Sequence, residues 1–259
     1  MKILRKTLLL LALVGLFPLH AAAQLIDVDL ELVLAVDVSG SVNNQRYLAQ
    51  KNGYIAAFRN PLVHQAIADG AIGSIAVNYM EWSDANQQSE QVAWTQISTA
   101  AEAEAFADAI EGTARAFSNS WTSISGAIDW SVDSINENDF SGTRQIIDIS
   151  SDGDNNRGRS VTDARDDAVN AGIVINGIAI EEVTNFSLTD YYANNVIGGP
   201  GSFVLTAATF EDFEDAILQK LEIEITGGDP TPVPVPATFA LFGIGLVGLG
   251  ATVRRRRMC

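Results

Sequence analysis

The chain has 259 residues, with 32 Asp and Glu against 16 Lys and Arg. Three of the basic residues fall within positions 1–23 and four at Arg254 to Arg257, so the stretch between carries nine against all 32 acids, a net charge of −23. Such a surface repels nucleic acid and anionic lipid headgroups; the single cysteine, Cys259, leaves the domain no disulfide, and with only His20 and His64 as histidines a Cys/His zinc centre or a Ser-His-Asp triad with a histidine to spare is hard to build.

Residues 1–23 read as a secretory signal peptide. Lys2, Arg5 and Lys6 precede a leucine-rich run that ends in small residues suited to cleavage near Ala23. Residues 24–228 then have the length for one sizeable core. Within them, apolar runs predict strands over 30–38, 72–82, 88–94, 144–150, 173–180 and 203–206. Helical patterns lie between, over 44–59, 100–110, 123–135, 162–170, 188–194 and 210–221, with His64 in a turn or short helix near Pro61 and in a structural role. Only the turn SDANQ fits between residues 82 and 88, so those two strands form a hairpin at one sheet edge. The alternation elsewhere predicts an α/β fold: a doubly wound, mostly parallel six-stranded sheet with one antiparallel edge strand and helices on both faces.

Beyond the domain, DPTPVPVP at 229–236 reads as an extended Pro-rich linker. Residues 237–259 follow as an apolar, uncharged stretch closed by the four arginines, at the short limit for a membrane-crossing helix with its arginines on the cytoplasmic side. Gly243, Gly245 and Gly248 spell GxGxxG without the strand-to-helix context of a dinucleotide site. The whole tail, VPVPATFALFGIGLVGLGATVRRRRMC, resembles the PEP-CTERM sorting signal of Gram-negative bacteria. That resemblance implies export, recognition by an exosortase-type membrane protease, and at least transient anchoring in the cell envelope.

The stretch AVDVSGSV places Asp37, Ser39 and Ser41 at alternate positions where the first long strand ends. In open α/β sheets ligands bind beyond the carboxyl ends of the strands. Two more oxygen donors fall at comparable places: Asp152 after the strand RQIIDISS, and Thr122 at the expected N-cap of the next helix. All five are hard donors suited to Mg²⁺, Mn²⁺ or Ca²⁺. Two carboxylates balance a divalent cation, and the shell keeps a position for an acidic oxygen from a partner. The competing reading is that Asp37, Ser39 and Ser41 cap the following helix.

Asp37-Val-Ser39-Gly-Ser41, then Thr122, then Ser151-Asp152-Gly153, together resemble the metal-ion-dependent adhesion site of the von Willebrand factor type A (vWA) domain, over about residues 25–226. The resemblance implies a vWA/Rossmann-like fold with the two serines and the threonine as direct ligands and the acids binding directly or through water. Trp121 stands where a small residue is usual. Segments YMEWSD, SSDGDNNRG and VIGGPGSFV further resemble an uncharacterised group of exported bacterial proteins.

Other motifs carry less. DGDNNRG imitates an EF-hand loop but has Arg157 where glycine is needed, although Asp154 and Asn155 could support the ion indirectly. GGPG at 198–201 reads as a turn, and Asn185-Phe-Ser187 is a sequon. Glu81, Trp82 and Asp84 end a strand at the same rim, with Trp82 lining a partner surface or covering the sheet edge. The expectation is a non-enzymatic, exported module with no catalytic residue, binding a protein ligand's Asp or Glu through the cation. A metal-assisted hydrolase and an acidic extracellular-matrix protein are the alternatives.

Overall fold

The computed structural model describes residues 24–228. The signal peptide, the Pro-rich linker and the membrane-crossing tail expected at 237–259 lie outside the described residues. Within them no helix is long and apolar enough to cross a membrane.

The first two strands are β1 (Ile26–Val28) and β2 (Leu30–Asp37), followed by helices α1 (Asn44–Phe58) and α2 (Pro61–Ala68). Asn43 caps α1 by accepting from the N–H groups of Gln45 and Arg46, and Asn60 with Pro61 in the first turn starts α2. The hairpin of β3 (Ile75–Trp82) and β4 (Gln88–Ile97) leads to α3 (Ala100–Gly112), which opens on a reciprocal Thr99–Glu102 capping box. Helix α4 (Ile124–Glu137), β5 (Phe140–Gly142), β6 (Gln145–Ser151), α5 (Val161–Asn170) and β7 (Val174–Ile180) come next. A short α6 (Leu188–Tyr191) runs directly into one π-helical turn, Tyr192–Val196. The domain finishes with β8 (Val204–Ala207) and α7 (Phe213–Thr226), which Gly227 ends at φ 67°.

The main sheet has the order β4-β3-β2-β6-β7-β8, parallel except for the β3–β4 hairpin, and β1 pairs in parallel with β5 as a separate ribbon. All six strands of the expected sheet are present. Alternation along β2 divides the core: Leu30, Leu32, Leu34 and Val36 pack with Tyr54, Phe58, Phe106 and Phe213 on the face of α1, α3 and α7. Val33 and Ala35 pack with Ile124, Ala127, Ile128 and Ala164 on the face of α4 and α5. A central parallel strand buried on both faces has to be apolar throughout, as this one nearly is.

Several boundaries differ from the sequence expectation, each for a visible reason. Strand β3 begins at Ile75 and not at residue 72 because the Asp29 carboxylate accepts from the N–H groups of Ile72 (3.0 Å) and Gly73 (2.8 Å), holding them in a turn. Helix α7 begins at Phe213 and not at 210 because Asp212 turns its carboxylate back onto Thr209 N (3.0 Å) while Phe210 N–H donates to Glu182 (3.0 Å). Trp82 is fully buried beneath α4, which settles it as core. His64 Nε2 donates to the Phe58 carbonyl (2.7 Å), a helix-end contact that fits its structural reading.

One polar cluster crosses the core. Lys220 of α7, fully buried, pairs with Asp148 of β6 at 2.7 Å and with Glu224, which also accepts from Asn176 Nδ2 at 2.8 Å.

Candidate metal centre

Successive connections leave β2 in opposite directions: β3 lies on one side of it and β6 on the other. This reversal falls at the carboxyl ends of β2 and β6, the place where doubly wound sheets hold ligands. Asp37 is the last residue of β2 and Ser151 the last of β6, so the DVSGS loop and Asp152 emerge side by side from the two central strands.

The structure brings all five candidate residues into one hydrogen-bonded cluster. Thr122 Oγ1 donates to Ser39 Oγ (3.1 Å), Ser39 Oγ lies 3.4 Å from Ser41 Oγ, and Ser41 Oγ donates to Asp152 Oδ1 (2.5 Å). Asp37 Oδ1 accepts from Ser39 N–H at 2.7 Å and its Oδ2 from Ser151 Oγ at 2.5 Å. Asp37, Ser39, Thr122 and Asp152 are buried and Ser41 is exposed, so the cluster reaches solvent at one side.

None of the five caps a helix. Asn43 takes that role for α1, and for α4 it falls to Ser123, which accepts from Gly126 N–H. The sequence reading placed Thr122 at that cap; the structure moves the cap one residue on and leaves the Thr122 hydroxyl free to face Ser39.

The electrostatics suit a cation. Burial, reinforced by the nearby Asp152 carboxylate, pushes Asp37 up to about 7, against the opposing hydrogen bonds from Ser151 and Ser39. Burial also raises Asp152, opposed by the Ser41 hydroxyl and the Arg46 charge. Asp152 Oδ2 is buried with no hydrogen-bond partner among the described residues. Two buried carboxylates side by side, one with an orphaned oxygen, carry a desolvation cost that a bound divalent ion offsets. The donor set of two carboxylates and three hydroxyls therefore fits a hard cation. No group of three or more His, Cys, Asp and Glu side chains with metal-binding geometry occurs among the described residues, which leaves the hydroxyls as an essential part of this one.

Residues to which the sequence reading gives no ligand role hold the cluster in place, and Arg46 and Arg115 among them go unnoticed there. Ser151 clamps Asp37. Arg115 donates to the carbonyls of Val38 (2.8 Å), Ser39 (3.2 Å) and Val42 (2.6 Å), and Arg46 to that of Ser41 (2.9 Å), so two guanidinium groups tie the DVSGS loop from outside. Gly40 passes close to the neighbouring loop: its N–H donates to Ser120 O (2.9 Å), and a Cβ there would sit 3.0 Å from the same oxygen. Asn156 fastens Thr122 on both sides, its Oδ1 accepting from Thr122 N (3.0 Å) and its N–H donating to Thr122 O (2.9 Å). Asn155 Oδ1 accepts from Ser125 N–H (2.9 Å) in the first turn of α4, so it supports the centre at one remove, while Asp154 has no such bond to the cluster among the described residues.

Residues 27–229 match the model of a family described as a protein of unknown function, DUF1194. The chain belongs to the DUF1194 family. Residues 232–257 of this DUF1194 protein match the PEP-CTERM protein-sorting motif, which points to export and to recognition by an exosortase-type enzyme. A search of curated proteins finds no match.

Solved structures give the fold its name. The DUF1194 domain resembles proximal thread matrix protein 1 from the mussel byssus, with TM-score 0.56 at 16% identity over 78% of this chain and 47% of that one. A second structure of the mussel protein, described as having a zinc-occupied MIDAS motif, matches with TM-score 0.54 at 16% identity over 76% and 46%. The pilus adhesin SpaC from Lactobacillus rhamnosus GG matches with TM-score 0.56 at 13% identity over 77% of this chain and 31% of that one. The SpRpn10 VWA domain matches with TM-score 0.52 at 13% identity over 81% of this chain and all of that one. The domain thus has the vWA fold, and the chain spans less than half the length of the mussel and pilus proteins.

Proposed function

We propose that this DUF1194 domain is a non-enzymatic adhesion module that binds the Asp or Glu of a protein ligand through a divalent cation. The observation that carries the reading is the convergence of Asp37, Ser39, Ser41, Thr122 and Asp152 into one cluster, buried except at Ser41, whose carboxylates are raised and whose Asp152 Oδ2 has no hydrogen-bond partner among the described residues. These five side chains would hold Mg²⁺, Mn²⁺ or Ca²⁺. Once bound, the ion supplies a positive centre at the molecular surface to which an external carboxylate is attracted.

The chain's own residues do the rest. Ser151 and the Ser39 N–H fix the Asp37 carboxylate, Asn156 fixes Thr122, and Arg46 and Arg115 fix the loop between them. A fixed donor set lowers the ordering cost of binding. The two acids are the titratable members of the cluster, and the reading gives them the role of ligands, with no proton transfer assigned. The likeness to a pilus adhesin and to a mussel thread protein with a zinc-occupied MIDAS motif supports this reading, and the sorting motif supports a place in the envelope or outside the cell.

Calorimetric titration with Mg²⁺ and Mn²⁺ tests the proposal. Wild type is expected to bind one ion and Asp37→Ala none. Equal binding by the two proteins would remove the assignment.

A further inference from the structure

The DUF1194 domain is short of positive charge, yet three of its nine cationic side chains gather at the metal centre: Arg46, Arg115 and Arg157. The first two are committed to backbone carbonyls of the DVSGS loop. Arg157 differs. Its guanidinium stacks on the Trp121 ring, 4.8 Å from the centroid, and its nearest acid, Asp84, lies 3.9 Å from Nε. Among the seven arginines of the described residues, it is the one with no hydrogen bond to another described residue, whereas the other six each donate at least one within 3.2 Å.

The stacked pair stands next to the proposed cation. Trp121 precedes Thr122 and Arg157 follows Asn156, and the reciprocal Thr122–Asn156 bonds of 3.0 and 2.9 Å lock the two segments together. Trp121 is 53% exposed and the Arg157 side chain 54% exposed. The Trp121 backbone carbonyl is itself held, accepting from Ser83 Oγ at 2.9 Å. The platform is therefore anchored through its backbone and open on its outer face.

An arginine held over an indole face keeps N–H groups available and loses little freedom when they are used. On a surface of net charge −23, that unspent fork is the local feature complementary to an anion, and carboxylate is the group it matches with two parallel hydrogen bonds. We infer that Arg157, carried on Trp121, is a specificity-determining residue that receives a second carboxylate from the ligand, so that the favoured partner is an acidic peptide segment with two nearby acids. One acid faces the cation and the other the guanidinium. This inference rests on the adhesion reading above and deepens it.

The test uses the exported domain with its ligand side represented by two acetylated, amidated peptides, Gly-Asp-Gly-Glu-Gly and Gly-Asp-Gly-Gln-Gly, titrated by NMR in saturating Mg²⁺. Wild type is expected to bind the diacid about tenfold more tightly than the monoacid, the gain of one charge-assisted contact. Arg157→Gln should erase that preference while its Mg²⁺ affinity, read by calorimetry, stays that of wild type. A preference that survives Arg157→Gln overturns the assignment, as does Mg²⁺ binding accompanied by binding of polygalacturonate and neither peptide. Failure of wild type to bind Mg²⁺ at all is a separate result, since it takes down the cation reading itself together with the inference built on it.

Discussion

Replacing Asp37 by Asn should stabilise the metal-free domain above neutral pH while destroying its response to metal. The Asp37 carboxyl is fully buried and pushed from 3.8 up to about 7, first by burial and then by Asp152. A raised carboxyl means that the folded state holds a proton the unfolded chain has already released. Between about pH 4 and pH 7 the folded state binds more protons, so its stability falls as pH rises across that window. Some three pH units at about 1.4 kcal/mol each give an upper figure of about 4 kcal/mol lost by pH 8. Asparagine cannot ionise and loses none of it. Its carbonyl can keep the Ser39 N–H, and its amide can donate to Ser151 Oγ, whose hydroxyl has the Gly153 carbonyl within 3.3 Å as an alternative acceptor. Urea unfolding in EDTA at pH 5 and pH 8 measures the effect: wild type should drop between the two, and Asp37→Asn should drop by less, the rest of its slope coming from the other raised carboxyls, Glu224, Glu81, Asp148 and Asp152. Adding Mg²⁺ to about a hundredfold over Kd should return about 2.7 kcal/mol to wild type and nothing to the variant. A variant less stable than wild type at pH 8 in EDTA would refute this account of the site.

Two further outcomes follow from named contacts. Lys220→Met leaves Asp148 and Glu224 buried together without their cation. Breaking such a cluster costs about 3–5 kcal/mol, and thermal unfolding should show Tm lowered by about 6 °C or more. Asn156→Ala removes the acceptor for Thr122 N–H from an exposed position; Mn²⁺ affinity by calorimetry should weaken at least about tenfold, with Tm nearly unchanged.

The parts of this molecule that could be read from its sequence are those with a strong local signature. Strand β2 announces itself because a central parallel strand is apolar on both faces, and DVSGS can be placed because it ends that strand. Strands β1 and β5, at three residues each, are too short to show a period. Helix α2 hides its start behind Pro61, which reads equally as a turn. The supporting residues of the site are harder still. Ser151 meets Asp37 across 114 positions, and Arg115 meets Val38 across 77. Nothing in a serine before an aspartate, or in an arginine in a loop, signals such a partner. The Tyr192–Val196 π turn was expected only as an undivided short helix; it seats the Tyr192 ring against Gly177, where a Cβ would come within 2.5 Å of the ring.

The position of α7 bears on what happens when an anchored molecule is pulled. The candidate metal centre lies at the carboxyl ends of the strands, while Gly227, after the last helix, lies against Arg144, just before β6, at the opposite pole of the sheet. If the domain captures a ligand as proposed while held through the chain after Gly228, tension would enter β6 through the α7 clip: Arg144 to the carbonyls of Glu224 (2.5 Å) and Ile225 (2.7 Å), and Lys220 to Asp148. Loaded this way the central strands would be sheared, with many hydrogen bonds sharing the force, and not peeled open one bond at a time. In that setting the buried lysine acts as a mechanical rivet between the helix that leaves the domain and the strand that carries its grip.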